Sequence, residues 1–199
     1  MEFPAVFLLS AALLVSWPLF ALRYRRQKAR IRALERSLKR EHQIARTDPL
    51  TGLLNRAAYE ERLTLLTAPP CGGGLCCVML DVDRFKDIND EKGHPAGDRA
   101  LQSIAAILRQ IFDETPHELF RIGGDEFALI LHELTPAQAD ARLSLVNPLL
   151  HRRCPGPGSP LSVSSGRAFL GEPGAPTAKD AFELADQRMY GYKKLTAQV

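Results

Sequence analysis

The sequence contains little cysteine and no Cys-x-x-Cys pair. Four cysteines occur in 199 residues, two adjacent in an apolar run and two in Gly/Pro-rich stretches: Cys76, Cys77, Cys71 and Cys154. This pattern excludes the paired spacing of a zinc site or of a redox motif, and it gives no disulfide framework. We therefore expect a reducing compartment and four inert thiols.

Positive charge is absent from the first 22 residues, and residues 3–22 carry no charge at all. About 20 such residues suffice to cross a bilayer, so we predict a transmembrane helix over residues 3–22. A cleaved signal peptide is the alternative, but it usually has a basic n-region and a shorter apolar stretch than this one, which includes Trp17 and Pro18. Because only Met1 and Glu2 precede the predicted span, we expect no external sensor domain.

Positive charge is concentrated in residues 23–46, which hold ten Lys or Arg against two Glu, a net of +8. Residues 47–199 hold 16 basic and 20 acidic side chains, a net of −4. Basic residues beside a membrane span favour its cytoplasmic end. We therefore expect the carboxyl-terminal part of the chain to lie in the cytoplasm.

The basic segment 23–46 is predicted to be a helical stalk, with Ile31, Leu34 and Leu38 on one face. These positions supply fewer than two heptads, so we expect only a weak dimer contact from the stalk. Beside a predicted span, its charges would meet anionic lipid headgroups, and nucleic acid is the less fitting partner. A solvated charge run that only sets the topology is the alternative.

Two acidic segments follow or join apolar strands. The run 75–80 predicts a strand buried on both faces, and it ends in Asp81-Val82-Asp83, whose two acids share one side. The segment 123–127, Gly-Gly-Asp-Glu-Phe, lies between two further strands, and its Gly-Gly pair predicts a two-residue turn with positive φ. An ordinary hairpin with solvated acids is the alternative interpretation.

These two segments predict a metal site if they meet. Where the first strand end lies beside the hairpin, Asp81 and Asp125 converge, and neighbouring carboxylates repel unless a cation lies between them. Mg²⁺ held by one or two carboxylates and substrate phosphates is the usual solution.

The remaining pattern alternates helices with strands. Asn55 is a predicted helix N-cap, and helices are predicted over about 85–89, 95–112, 135–150 and 177–196, with a strand at about 161–170. This alternation, with one antiparallel hairpin, predicts an α+β sandwich for residues 47–199.

Five separated motifs occur in one order along the chain, at residues 48–56, 81–90, 93–98, 121–127 and 185–190. Over residues 47–195 this set resembles the GGDEF-domain diguanylate cyclases, nucleotidyltransferases that condense two GTP into cyclic di-GMP and two pyrophosphates. The resemblance implies a ferredoxin-like, nucleotidyl-cyclase palm in residues 47–199. With the predicted span, it also implies a single-pass protein of the bacterial inner membrane.

The resemblance implies a role for each acid near the hairpin. Asp81 and Asp125, with the Val82 carbonyl, would hold Mg²⁺, with Mn²⁺ as an alternative, and Glu126 would lie close to the reacting centre. The metal would neutralise the phosphates, activate the ribose 3′-hydroxyl and stabilise the pyrophosphate leaving group. Asp83 would have a supporting role.

The resemblance also assigns the nucleotide contacts. The triphosphate would be held by backbone amides and ammonium groups, and by glycines that leave the backbone bare: Arg84, Phe85, Lys86, Lys193, Gly123 and Gly124. Asn89 and Asp98 would read guanine, because an amide can face O6 and a carboxylate accepts from N1 and N2. A solvated helix and cap is the alternative for Lys86, Asn89 and Asp98.

Because each site would hold one GTP, the resemblance implies a two-fold homodimer in which each 3′-hydroxyl attacks the partner's α-phosphate. The chain departs from the family pattern at two places. Glu114 and His117 stand where many members have the Arg and Asp of an Arg-x-x-Asp product-inhibition site, so we expect no such site. Ala197 stands where an Arg is expected, which predicts weaker activity unless Lys194 substitutes.

Two alternatives to an active cyclase follow. A catalytically weak or inactive GTP-binding or dimerisation module would fit the altered carboxyl terminus. A tethering protein for lipid or nucleic acid would depend on the basic stalk alone.

Overall fold

The computed structural model describes residues 20, 23–32, 34, 45–66, 74–112, 116–154 and 160–196. The chain divides into two compact units, Met1–Ala45 and Arg46–Val199. In the first unit, residues 23–32 are helical, as predicted for the stalk. Among the described residues, no helix is both long and apolar enough to span a bilayer. The predicted transmembrane segment 3–22 lies outside the described residues, apart from Phe20.

The second unit contains one four-stranded sheet and six helices among its described residues. The strands are β1 Cys76–Val82, β2 Glu118–Arg121, β3 Glu126–Leu131 and β4 Val163–Phe169, in the order β2-β3-β1-β4. Every neighbouring pair is antiparallel. The helices are α1 Arg56–Leu65, α2 Phe85–Lys92, α3 His94–Phe112, α4 Pro136–Leu143, α5 Val146–Arg153 and α6 Ala178–Thr196. The βαββαβ order confirms the predicted α+β, ferredoxin-like sheet.

Strand β1 lies between two hydrophobic layers, one on each face of the sheet. Val78 and Leu80 pack with α3, α4 and α5 on one face of the sheet. Cys77 and Met79 pack with α1 and α6 on the other. The prediction of a strand buried on both faces is therefore confirmed, and each buried aliphatic side chain contributes about 1.5–3 kcal/mol.

The cysteines of this strand behave as expected. Cys76, Cys77 and Cys154 are free thiols, whereas Cys71 lies outside the described residues. Burial raises the pKa of Cys76 to about 12, and burial likewise raises the pKa of Cys77. Such thiols stay protonated at neutral pH, which keeps them unreactive.

Helix α6 packs unusually close to the outer strand β4. A Cβ atom at Gly166 would lie 2.1 Å from the Ala185 carbonyl oxygen and 2.3 Å from the Met189 nitrogen. Only glycine leaves room for this approach of helix backbone to strand backbone. The close packing brings the carboxyl-terminal turns of α6, with Lys193, to the end of β1.

Helix ends follow the sequence signals. The Asn55 side chain accepts a hydrogen bond from the Ala58 amide at 3.1 Å, which confirms the predicted N-cap of α1. The single helix predicted over 135–150 is wrong, because α4 ends at Leu143 and α5 begins at Val146. Pro148 explains the break: it has no N–H to donate to Ser144, so a continuous helix loses a bond there, whereas the first turn of a new helix tolerates proline.

Candidate active site

The Gly-Gly hairpin differs from its prediction. Residues 122–125 form a four-residue loop between β2 and β3, and the glycines of the described chain with positive φ are Gly52, Gly93, Gly171 and Gly174. The expected two-residue turn with positive φ is therefore wrong. A loop of four residues reverses the chain without the left-handed conformation that a two-residue turn demands.

The two glycines instead provide space. A Cβ atom on Gly123 would lie 2.3 Å from Oε2 of Glu126, so the bare backbone there gives room to that carboxylate. A Cβ atom on Gly124 would have nothing within 4 Å. The exposed Gly124 backbone is therefore open on the side from which a ligand can approach.

The end of β1 lies beside this hairpin, as the resemblance implies. Asp81 is paired with Glu126 across the β1–β3 ladder, and the Val82 amide donates to the Asp125 carbonyl at 3.1 Å. Asp125 is close enough that its charge contributes to raising the pKa of Asp81. The sheet therefore brings together the three residues assigned to the metal.

Asp81 is half-buried and already holds a cation. The Lys193 ammonium, at the end of α6, donates a hydrogen bond to the Asp81 carboxylate. Burial raises the pKa of Asp81, Lys193 opposes that shift, and the charges of Asp125 and Asp83 add to it. A carboxylate in this environment favours a cationic partner.

The residues present fit a magnesium ion. Within the described ranges, no three His, Cys, Asp or Glu side chains form a group that could hold a metal ion. Two carboxylates and a backbone carbonyl nevertheless match Mg²⁺, which usually takes its remaining ligands from water and substrate phosphates. The Lys193 ammonium on Asp81 shows that this position accepts a positive charge.

Asp83 does not belong to this pair. Its two carboxylate oxygens accept the hydroxyl groups of Ser162 and Ser164, each at 2.6 Å, and its amide donates to the Ser162 carbonyl at 3.0 Å. Asp83 therefore fixes the start of β4 against the end of β1, which agrees with the supporting role expected for it.

The start of α2 has a strained backbone beside the acids. Arg84, the residue before α2, has φ 51° and ψ 37°, in the left-handed region that non-glycine residues seldom adopt. This conformation turns the chain from β1 directly into the helix, so the free amides at the first turn of α2 lie next to Asp81 in sequence. Such amides favour anions, and Lys86 is exposed on the same turn.

The predicted guanine contacts lie where α2 meets α3. Gly93, with φ 77°, joins the two helices, and its amide donates to the Asn89 carbonyl. Asn89 is half-buried and Asp98 is exposed, and they lie on facing helices, with Asn89 against Gly97. The structure therefore places these two side chains at the same helix junction.

Two residues that contact the hairpin received no role from the sequence. The Arg121 guanidinium contacts both carboxylate oxygens of Asp48 at 3.1 Å and donates to the Gly124 carbonyl at 2.8 Å. Asp48 also accepts from the Thr51 amide and hydroxyl. Burial alone would raise the pKa of Asp48, but the Thr51 hydrogen bonds and Arg121 hold it below its ordinary value. Asp48 and Arg121 therefore fix the hairpin to the amino-terminal turn.

These features define a ferredoxin-like palm domain with an acidic site at one end of its central strand. Residues 45–198 match the family described as diguanylate cyclase, GGDEF domain. The chain therefore belongs to the GGDEF-domain diguanylate cyclase family.

Known proteins agree with this assignment. Diguanylate cyclase DgcP of Pseudomonas aeruginosa is 38% identical over 167 residues, which are 82% of this chain and 25% of DgcP. The crystal structure of the coiled coil and GGDEF domain of DgcB from Caulobacter crescentus, in complex with c-di-GMP, has a TM-score of 0.76 and 27% identity, covering 88% of this chain and 94% of that one. Cyclic di-GMP phosphodiesterase PdeB of Shewanella oneidensis is 42% identical over 99 residues, 48% of this chain and 11% of PdeB.

The chain spans between 25% and 40% of the length of the first curated relatives that it matches. These relatives therefore contain long regions with no counterpart in this sequence.

Proposed function

We propose that this chain is an active diguanylate cyclase that condenses two GTP into cyclic di-GMP and two pyrophosphates. The observation that carries the proposal is the meeting of Asp81 and Val82 with Asp125, fixed by the hydrogen bond from the Val82 amide to the Asp125 carbonyl. Relatives named as diguanylate cyclases support the same reaction.

In this proposal, Asp81, Asp125 and the Val82 carbonyl hold Mg²⁺ or Mn²⁺. The bound metal would supply charge neutralisation of the phosphates and activation of the 3′-hydroxyl. Glu126 lies beside the reacting centre, in the space that Gly123 leaves. The amides after Arg84 and the ammonium groups of Lys86 and Lys193 orient the triphosphate, while Asn89 and Asp98 select guanine.

The reaction requires two sites, so the proposed enzyme is a homodimer. The stalk offers a surface for it: Tyr24, Ile31 and Leu34 are between 56% and 58% exposed. Their spacings of seven and three residues place them on one helical stripe, as in the a and d positions of a coiled coil. This stripe begins before the three apolar positions found in the sequence, so it supports a longer dimer contact than expected. Membrane anchoring through residues 3–22, with the catalytic domain on the cytoplasmic side of a bacterial inner membrane, would raise the frequency with which two subunits meet.

We also propose that the usual product-inhibition site is missing. Glu114, which lies outside the described residues, places an acid where an arginine would bind a product phosphate. His117 replaces the aspartate, and its ring lies 3.2 Å from the His132 amide and 3.3 Å from the Arg142 guanidinium. An imidazole engaged in this way does not offer the carboxylate of the family pattern.

A catalytically inactive GTP-binding module is the second candidate. Part of this chain resembles part of a protein that is named as a phosphodiesterase and not as a cyclase. This resemblance favours the inactive module. Ala197, in place of an arginine, supports it too.

Incubation of the full-length protein in detergent with GTP and Mg²⁺, followed by chromatography of the nucleotides, tests the proposal. We expect cyclic di-GMP from the parent protein and from Glu183→Gln, a matched exposed acid on α6 outside the five motifs, but none from Asp125→Asn. Continued synthesis without a plateau set by product would support the missing inhibitory site. GTP binding without product would establish the inactive module instead.

A further inference from the structure

The contact between Gly97 and Asn89 is closer than any side chain at position 97 would allow. A Cβ atom built on Gly97 would lie 2.1 Å from Oδ1 and 3.0 Å from Cγ of Asn89. Non-bonded carbon and oxygen atoms do not approach to that distance. The Asn89 amide therefore occupies the space that an ordinary residue of α3 would fill.

This contact lies at a tightly constrained junction. Gly97 is buried in the first turns of α3, and Asn89 is half-buried in the last turn of α2. Gly93, the residue between the two helices, caps α2 through the Asn89 carbonyl at 2.9 Å. The backbone of Asn89 is thus held by Gly93 while its side chain rests on Gly97.

We infer that Gly97 is a positioning residue that sets the orientation of the Asn89 amide and thereby the recognition of the O6 atom of guanine. The inference rests on the proposed guanine contacts of Asn89 and Asp98. With any side chain at position 97, Asn89 must rotate to another rotamer, because its amide is short and its backbone is fixed. The amide is then no longer presented to the base, while the exposed Asp98 keeps its own position.

The two guanine contacts can be separated with modified bases. 6-Thio-GTP replaces O6 by a sulfur, a poorer hydrogen-bond acceptor, and keeps the N1 and N2 donors that Asp98 would accept. ITP keeps O6 and N1–H but lacks the N2 amino group. Preference for GTP over 6-thio-GTP therefore reports on Asn89, and preference for GTP over ITP reports on Asp98.

The experiment measures binding of the 3′-deoxy forms of GTP, 6-thio-GTP and ITP, which lack the attacking hydroxyl, to full-length protein with Mg²⁺. We expect Gly97→Ala to bind 3′-deoxy-GTP about 3- to 10-fold more weakly and to lose its preference over the 6-thio form, and we expect the same of Asn89→Ala. Its preference over the inosine form should remain. Gly191→Ala, a helical glycine whose Cβ atom would meet nothing within 4 Å, is the matched control and should bind like the parent.

The double variant Asn89→Ala/Gly97→Ala separates this inference from a folding defect. Because the clash is with the Asn89 side chain, the double variant should bind like Asn89→Ala alone. Weaker binding than that would overturn the inference and point to Phe85, whose ring lies 3.2 Å from the same Cβ position. An unchanged 6-thio preference in Gly97→Ala, or an equal loss for all three nucleotides with a lowered Tm, would also overturn it.

The failure of the proposed function would look different. A parent protein with no preference among the three nucleotides would disprove guanine recognition at this site. A parent protein with both preferences, and a Gly97→Ala variant that keeps both, would disprove only the positioning role of Gly97.

Discussion

The Lys193 ammonium at the end of α6 donates a hydrogen bond to the Asp81 carboxylate at the end of β1, across 112 residues of sequence. This ion pair places the positive charge of Lys193 beside the carboxylate that we assign as a metal ligand. Lys193 and a divalent cation therefore compete for one group until a nucleotide brings phosphates for the lysine to contact. Because of this competition, removal of Lys193 should have opposite effects on Mg²⁺ binding and on GTP binding.

We expect Lys193→Met to bind Mg²⁺ more tightly than the parent when no nucleotide is present, because Asp81 is then free for the metal. The same variant should bind GTP about 10- to 100-fold more weakly, since one charge-assisted contact contributes about 1.5–3 kcal/mol in favourable cases. Mg²⁺ titration by calorimetry, with and without GTP, checks both effects. Lys179→Met is the matched control, because the pair of Lys179 within the described residues is an exposed one, with Glu183 at 3.8 Å. Weaker Mg²⁺ binding by Lys193→Met without nucleotide would contradict the competition.

The Asp48–Arg121 pair predicts a pH-dependent stability. The pKa of Asp48 is lower in the folded protein than its ordinary value of 3.8. The ionised carboxylate therefore stabilises the fold at pH values above about 3.8, and this contribution is lost as the pH falls through the folded-state pKa. Asp48→Asn should lower the free energy of unfolding by about 1–3 kcal/mol at pH 7, and the difference from the parent should shrink in acid.

Chemical denaturation at pH 7 and at pH 3 measures this difference. Glu183→Gln, an exposed acid on α6, is the control and should show no comparable loss. Asp48→Asn should also lower cyclase activity, because Arg121 then holds the Gly124 carbonyl without its own anchor. A loss of stability that is equal at both pH values would show that the charge of Asp48 is not the cause.

These two pairs show what the sequence could and could not provide. Apolar runs and caps predicted most of the elements, because alternation and capping are local patterns, whereas only the family resemblance implied that Asp81 meets Asp125. The contacts of Arg121 and Lys193 join residues that are 73 and 112 positions apart. Nothing local specifies such partners, so the motif positions marked these residues without revealing what each one contacts.

The errors have physical causes as well. A Gly-Gly pair predicts positive φ only when the loop has two residues, and here the loop has four, so Gly123 serves the Glu126 side chain instead. The predicted helix 135–150 is wrong because Pro148 lacks the amide that a continuous helix needs at that position. In both cases a single steric or hydrogen-bonding requirement outweighed a pattern spread over several residues.

Substitution of Gly166 should have a large effect on the stability of the fold alone. Its missing Cβ would meet backbone atoms of α6 on Ala185 and Met189, which cannot move aside without shifting the helix. Gly166→Ala should therefore lower the free energy of unfolding by about 1–3 kcal/mol or more, as overpacking does. Thermal melting compares it with Gly191→Ala, whose Cβ enters open space and which should melt like the parent or slightly higher. Equal melting temperatures would show that α6 can retreat from β4 freely.

Substitution of either hairpin glycine, Gly123 or Gly124, by alanine should lower cyclase activity, but for two different reasons. In Gly123→Ala, the new Cβ would lie 2.3 Å from Glu126 Oε2, so the carboxylate must rotate away from the reacting centre. In Gly124→Ala, the Cβ enters open space in the free protein, but it takes up the side of the backbone that would face the triphosphate. We expect both variants to melt like the parent, because neither Cβ meets backbone atoms.

Kinetics should separate them. Gly123→Ala should lower kcat with little change in GTP affinity, since a displaced Glu126 affects the reaction more than the binding. Gly124→Ala should weaken GTP binding, because a methyl group blocks the approach of the phosphates to the bare backbone. The variant Gly123→Ala/Glu126→Gln provides the decisive comparison: if Gly123 acts through Glu126, the double variant should be no slower than Glu126→Gln alone. A further loss in the double variant would show that Gly123 contacts the nucleotide itself.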